Sequence, residues 1–290
     1  MKLGFWTLGM PAWSAKEIVE QAKAHGYTGV DLRCTRPDNG RPGGGGILCI
    51  ESPDDEVLET RQAFEGSGVE ITSLLCYLPG NRPAAPDWSA YTDDVAAHAS
   101  LAARVGAAGL RLGVPRPAEG VSWTQHLEAL WQATQDGLKR EAGVGAVFEN
   151  HTGGPSAAQL LVVAERIGDE RIGVELSPDH SFVMQEDTLP LIERHAPWIH
   201  HVCFADRQVS EEDLGAFDGR FYQVRFESCV IGEGLVPAEK IFRALEGQGY
   251  SGYVALKWER PVTVGETVLT GENVLPTFAK FMRDFGVIDA

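Results

Sequence analysis

The chain has 290 residues, 43% of them hydrophobic and 23% charged, a balance that excludes a disordered chain, a collagen-like repeat and a disulfide scaffold. Its 25 Lys and Arg stand against 41 Asp and Glu, a net charge of −16. Such a surface repels phosphate backbones and anionic lipid, so neither nucleic acid nor a membrane surface is an expected partner.

In chain order, short apolar runs of strand length alternate with longer stretches of helical spacing. Strands are predicted near 3–7, 28–33, 69–75, 109–113, 144–149, 172–177, 199–204 and 253–259. Helices are predicted near 14–25, 54–67, 90–106, 122–141, 156–166, 187–196, 236–248 and 271–285. The first helix shows the logic. Ile18, Ala22 and His25 fall on one side with Ala15 and Val19, while Lys16, Glu17, Glu20 and Lys23 fall on the other. Ser14 and Glu17 have the spacing of a capping box, and Gly26 supplies the stop.

Eight strand-then-helix units predict a parallel sheet. No Gly-rich dinucleotide fingerprint follows the first strand, where LGFWTLGMP stands, and the even spacing favours a closed (β/α)8 TIM barrel over an open sheet. No Pro-, Ser- or charge-rich linker divides the chain, so residues 1–290 read as one domain. Two irregular insertions, 36–50 and 205–235, follow strands 2 and 7 and are expected on the face where barrels build active sites. The first holds four consecutive Gly, but no helix start or Lys-Ser/Thr follows, so it reads as a flexible loop or lid rather than a phosphate cradle.

The five cysteines, Cys34, Cys49, Cys76, Cys203 and Cys229, are odd in number and form no CxxC pair, which suits a reducing cytoplasm. The start, MKLGFWTLGMPAWS, carries no signal-peptide pattern, and no stretch approaches the roughly 20 apolar residues of a membrane span.

Four strands end in polar residues that a plain core would not select. They are Glu149-Asn150-His151; Glu175, Ser177, Asp179 and His180; His200, His201, Cys203 and Asp206-Arg207; and Lys257, Glu259 and Arg260. Side chains alternate between barrel interior and helix layer. If Glu149 points inward, Ser177, Cys203 and Lys257 share its phase, and Glu175 and His201 lie one layer deeper within reach of each other. His25, His98, His126 and His195 fall on helices and read as surface or packing residues. The aromatics Trp6, Tyr77, Phe148, Phe204 and Trp258 also lie near strand ends.

Together the segments AVFENH (146–151), GVELSPDH (173–180), HHVCFAD (200–206), IGEG (231–234) and LKWERP (256–261) resemble the xylose-isomerase-like barrel family of sugar isomerases, epimerases and lyases. The resemblance implies one divalent cation, often Mn²⁺, Mg²⁺ or Co²⁺, held by Glu, Asp, His and Glu at the ends of strands 5 to 8. Only Glu149 is retained. Ser177 stands for the Asp, Cys203 for the His and Lys257 for the last Glu. A protonated Lys does not coordinate a cation and repels one, so no cofactor is expected; the alternative is a divalent ion held in a shifted register by Asp179, His180, His151 or Glu259 with Glu149.

The expected site is instead a Glu149–Lys257 pair, with the Lys257 ammonium stabilising a developing oxyanion and Glu149, His151 and His180 moving protons. Ser177, Asp179, Cys203, Asp206, Trp6, Trp258, Glu259 and Arg260 are expected to bind substrate. The resemblance implies isomerisation, epimerisation or elimination next to a carbonyl on a sugar, keto-sugar or similar hydroxy-carbonyl compound. Without a metal, a substrate that already carries a ketone is the easier one. The alternative is a non-catalytic sugar-binding or partner subunit. Abasic-site nuclease chemistry, which uses several metals, is disfavoured by the missing ligands and the negative charge. Related barrels pair as homo-oligomers, and the same is carried over as an expectation.

Overall fold

A computed structural model describes residues 1–35, 46–78, 87–210, 225–259, 262–264, 267–286 and 288. The chain opens with β1 (Lys2–Trp6), α1 (Ala15–His25), β2 (Gly29–Cys34) and α2 (Asp54–Phe64). It continues through β3 (Glu70–Cys76), α3 (Trp88–Val105), β4 (Gly109–Leu112), α4 (Trp123–Leu138), β5 (Gly145–Glu149) and α5 (Ala157–Ile167). Then come β6 (Ile172–Leu176), the short α6 (Pro178–Val183), α7 (Leu189–His195) and β7 (Ile199–Phe204). A hairpin, β8 (Arg207–Val209) and β9 (Phe226–Ser228), precedes α8 (Ala238–Gly247) and β10 (Tyr253–Leu256). A second hairpin, β11 (Val262–Val264) and β12 (Thr267–Leu269), precedes α9 (Gly271–Asp284).

The barrel is closed, in the order β1-β10-β7-β6-β5-β4-β3-β2, with every pairing parallel. The predicted (β/α)8 TIM barrel is the observed fold. Closure leaves the barrel sheet without an edge, and β10 joins β1 through pairs such as Leu256↔Phe5.

Local signals account for the elements. In α1, Ser14 Oγ accepts from the Glu17 amide and Glu17 Oε2 accepts from the Ser14 amide, and Gly26 ends the helix at φ +80°. Ser122–Gln125 and Ser156–Gln159 repeat the box at α4 and α5. Each such cap stabilises its helix by about 1 kcal/mol. At Gly173 in β6 a Cβ would lie 2.3 Å from the His200 ring, so only glycine permits that approach.

Most of the core lies between sheet and helices, where Trp131 of α4 packs on Phe148 of β5 with ring centroids 4.4 Å apart. A smaller apolar cluster, Trp6, Leu8, Leu75, Cys203 and Ala255, sits inside the barrel. Beside it the barrel interior holds the buried charges Asp31, Arg111, Glu149, Glu175 and His201.

Three predicted ends differ by three residues, and one short helix was not predicted. The final ladder ends at Leu256, not 259, although the Lys257 amide still donates to Phe204 O at 2.8 Å. The helix expected over 54–67 ends at Phe64, before Gly66 and Gly68 at positive φ. The helix expected over 122–141 ends at Leu138. The segment after β6 begins with α6, where Pro178 starts a helix directly behind Ser177. Residues 36–45 and 211–224, parts of the two predicted insertions, lie outside the described residues.

Candidate active site

Inward side chains from five barrel strands, with three residues that follow strands, form a line of charges that alternates in sign. At the deep end, Asp31 of β2 lies 3.4 Å from His201 Nε2, and His201 Nδ1 lies 3.2 Å from Glu175 of β6. Glu175 is 3.4 Å from Arg111 Nε of β4, and the same guanidinium lies against Glu149 of β5. Glu149 Oε1 accepts from Lys257 Nζ at 2.7 Å. Lys257 is 3.8 Å from Asp179 Oδ1 of α6, and Asp179 Oδ2 accepts from Arg207 Nη2 at 2.6 Å and Nε at 3.0 Å. Arg207 is half-buried and the other seven are buried. Isolated buried charges are costly, and the alternation gives each an opposite neighbour.

The electrostatics follow. Burial opposes charge on His201, but Asp31 and Glu175 outweigh it and raise its pKa to about 10. Burial would raise the Asp179 carboxyl, yet Lys257 and Arg207 hold it well below the usual range. Burial and Lys257 push His180 down to about 2, so its ring is neutral. His180 Nε2 lies 2.7 Å from Lys257 Nζ, which has only protons to offer, so Nε2 accepts and Nδ1–H donates to Thr152 Oγ1 at 2.8 Å.

Asn150 fixes the two strand ends that carry this cluster. Its Oδ1 accepts from the Ser177 amide at 2.8 Å, and its Nδ2 donates to Ser177 O and Ser181 Oγ. Ser177 Oγ donates to Asp179 Oδ1 at 2.6 Å and lies 3.3 Å from Lys257 Nζ.

A cavity of about 520 Å³ opens at the carboxyl ends of the strands, lined among others by Trp6, Tyr77, Arg111, Glu149, His151 and Glu259. The Arg111 guanidinium lies 5.2 Å from the Trp6 ring centre and 6.0 Å from that of Tyr77. His151 Nδ1 lies 2.9 Å from Thr152 O, which only accepts, so the proton is on Nδ1 and Nε2 keeps its lone pair. Crowding by neighbouring atoms, with Lys257 and Arg111 adding to it, lowers the His151 pKa. Its ring packs against His180, centroids 4.0 Å apart.

The predicted residues therefore divide. Glu149, His151, Trp6 and Glu259 line the cavity. Lys257, His180, Ser177, Asp179 and Cys203 are buried around Glu149, the Cys203 thiol 3.5 Å from Glu149 Oε1. His180 has both ring nitrogens engaged, one by Thr152 and one by Lys257. Asp206 does not face the cavity. Its carboxylate accepts from the amides of Arg207, Gly232, Gly234 and Val236, which leaves it holding a turn rather than facing substrate. Trp258 packs in the core between sheet and helices, not in the cavity. Arg260 lies outside the described residues. Sequence reasoning missed Asp31 and Arg111, both legible as charges inside the apolar runs GVDLR and GLRLG.

Residues 19–284 match the family described as xylose isomerase-like TIM barrel. The chain belongs to that family. An inosose dehydratase from Lacticaseibacillus casei is 24% identical over 148 residues, 45% of this chain and 47% of that protein. The chain thus aligns with about half the length of such curated relatives. Among solved structures, the IolI protein with a bound zinc atom superposes with a TM-score of 0.73 at 15% identity, covering 98% of each chain. The probable 3-DHS dehydratase AsbF from Bacillus anthracis gives 0.69 at 16%, covering 98% of this chain and 99% of that one. These likenesses show the shared barrel.

The barrel mouth does not fit the divalent cation of the family. Glu149, Glu175 and Cys203 offer donor atoms within 4.8 Å of one another. Arg111 already bridges the two carboxylates, and the Lys257 ammonium holds Glu149 Oε1. Two fixed cations at the donor set repel a third. Among the described residues, no helix is long and apolar enough to cross a membrane.

Proposed function

We propose that the protein is a lyase-type member of this family, removing water from a keto-polyol or oxidised sugar after taking the proton next to its carbonyl. The observation that carries the reading is the His151 ring, neutral, with a free Nε2 lone pair, in the cavity that also holds the buried Arg111 guanidinium.

The steps balance on these groups. His151 Nε2 takes the α-proton, and the C–H electron pair moves into the carbonyl to give an enolate oxygen. Arg111 meets that charge in a poorly solvated wall, where a fixed donor is worth most. As the enolate collapses, the β-hydroxyl leaves, and the His151 imidazolium returns the proton to it as water. Glu149 and Glu175 hold Arg111, while Lys257 and His180 hold Glu149. If the proton returns to carbon instead, the same first step yields isomerisation or epimerisation. The names of the relatives, inosose dehydratase and probable 3-DHS dehydratase, support loss of water.

A panel of keto-cyclitols and keto-sugars, followed by mass spectrometry for loss of one water, tests the reading. The wild type should dehydrate at least one compound, and His151→Gln should be slower by roughly 100-fold or more. An undiminished His151→Gln rate rejects it.

A second reading, a sugar-binding barrel without turnover, is favoured by the closure of the charges on one another. Thermal stabilisation by the panel with no product from any member would support that reading and reject the first.

A further inference from the structure

On the opposite side of the sheet from the cavity, Cys34 and Cys76 end β2 and β3 as register partners. Both thiols lie in the core between sheet and helices, at 2% and 0% exposure, beneath His98 of α3 at 6%. Their two sulfurs and one imidazole nitrogen all lie within 4.8 Å of one another. The His98 Nδ1 lies 2.7 Å from Asp94 O, one turn earlier on the same helix. That carbonyl only accepts, so Nδ1 carries the proton and Nε2 is left as the ring's ligand atom. An imidazole held through its other nitrogen by a backbone carbonyl is oriented as a metal ligand.

We propose that Cys34, Cys76 and His98 form a Cys₂His site for a borderline-soft divalent ion, Zn²⁺, distinct from the barrel mouth. Two thiolates and an imidazole are the donors Zn²⁺ prefers, and at Zn–S near 2.3 Å a tetrahedron sets the sulfurs about 3.8 Å apart, within the observed spread. The fourth position falls to an exogenous ligand such as water. Binding displaces the thiol protons to solvent, with no change of oxidation state. Cys34 bridges to Leu48, and the Glu51 carboxylate three residues on bears on it, which puts an acidic, solvent-facing segment beside the buried donors. The ion would tie β2 and β3 to α3 on the helix side of the barrel, leaving the charge line untouched.

The test is a titration of the reduced full-length chain with Co²⁺ as the spectroscopic stand-in, then displacement by Zn²⁺. The expected result is one equivalent bound, with a near-ultraviolet thiolate-to-cobalt charge-transfer band. That band should be lost in Cys34→Ser and Cys76→Ser, weakened in His98→Gln and kept in Cys203→Ser. Ligand loss should weaken Zn²⁺ binding by more than the roughly 10- to 100-fold typical of an outer partner. X-ray absorption on the Zn²⁺-loaded wild type should show two sulfurs and one imidazole, a reading that needs no variant to fold. No charge-transfer band, a band that survives both serine variants but not Cys203→Ser, or a Cys34–Cys76 disulfide in place of bound metal overturns the proposal.

Discussion

Lys257 Nζ lies 2.7 Å from Glu149 Oε1, both side chains 1% exposed, and the Lys stands where the family's last metal-binding carboxylate is expected. The pair is one link in a line of fixed charges of alternating sign that runs from Asp31 at the deep end to Arg207 at the rim.

Removing one member leaves its neighbours uncompensated. Lys257→Met should destabilise the fold by about 3–5 kcal/mol, because Glu149 and Asp179 lose their shared cation. The double variant with Glu149→Gln should recover part of that loss. Urea unfolding of the four members of the cycle measures the coupling.

His201 sets a stability limit on the alkaline side. Its folded pKa, raised to about 10, exceeds the unfolded value near 6.5, so the folded state binds the extra proton between them. That contribution is complete below the unfolded value and is lost as pH rises toward 10. Thermal unfolding should show the melting temperature falling across this window in the wild type and falling less in His201→Gln.

Arg207 ties the β8–β9 hairpin to the site through Asp179 and through Ser228 Oγ at 2.9 Å. Arg207→Met should cost about 2 kcal/mol, the worth of hydrogen bonds to a charged group. Amide exchange of β8 and β9 should quicken, while that of β4 and β5 should not.

Asp206 separates structural from binding roles. Asp206→Ala strips four amides of their acceptor and should lower the melting temperature by several degrees, since about 2 kcal/mol moves a domain of this size by roughly that amount. Substrate KM should stay unchanged in the folded fraction, as a steady-state assay below the melting range will show.

All eight barrel strands were legible because strand-length apolar runs and helical spacing are local properties. The inward phase of Glu149, Ser177, Cys203 and Lys257 followed from strand alternation. Partner choice was not legible. Asp206 and Arg207 are adjacent, yet one binds backbone amides and the other Asp179, and only the placing of residues 232–236 against Asp206 decides which. His98 looked like a packing residue because its two thiol neighbours sit on strands 22 or more residues away in sequence. His180 looked free because a sequence does not reveal that Thr152 and Lys257 close on both sides of its ring.

The central claim is that His151 Nε2 moves the proton next to a substrate carbonyl. The most direct measurement is proton NMR of a keto-polyol in D₂O, with wild type, His151→Gln and Glu149→Gln. The account predicts loss of the α-proton signal with wild type and a rate at least about 100-fold lower in His151→Gln. Glu149→Gln should be slowed as well, because Arg111 loses its anchor. Exchange at the wild-type rate in His151→Gln would contradict the account.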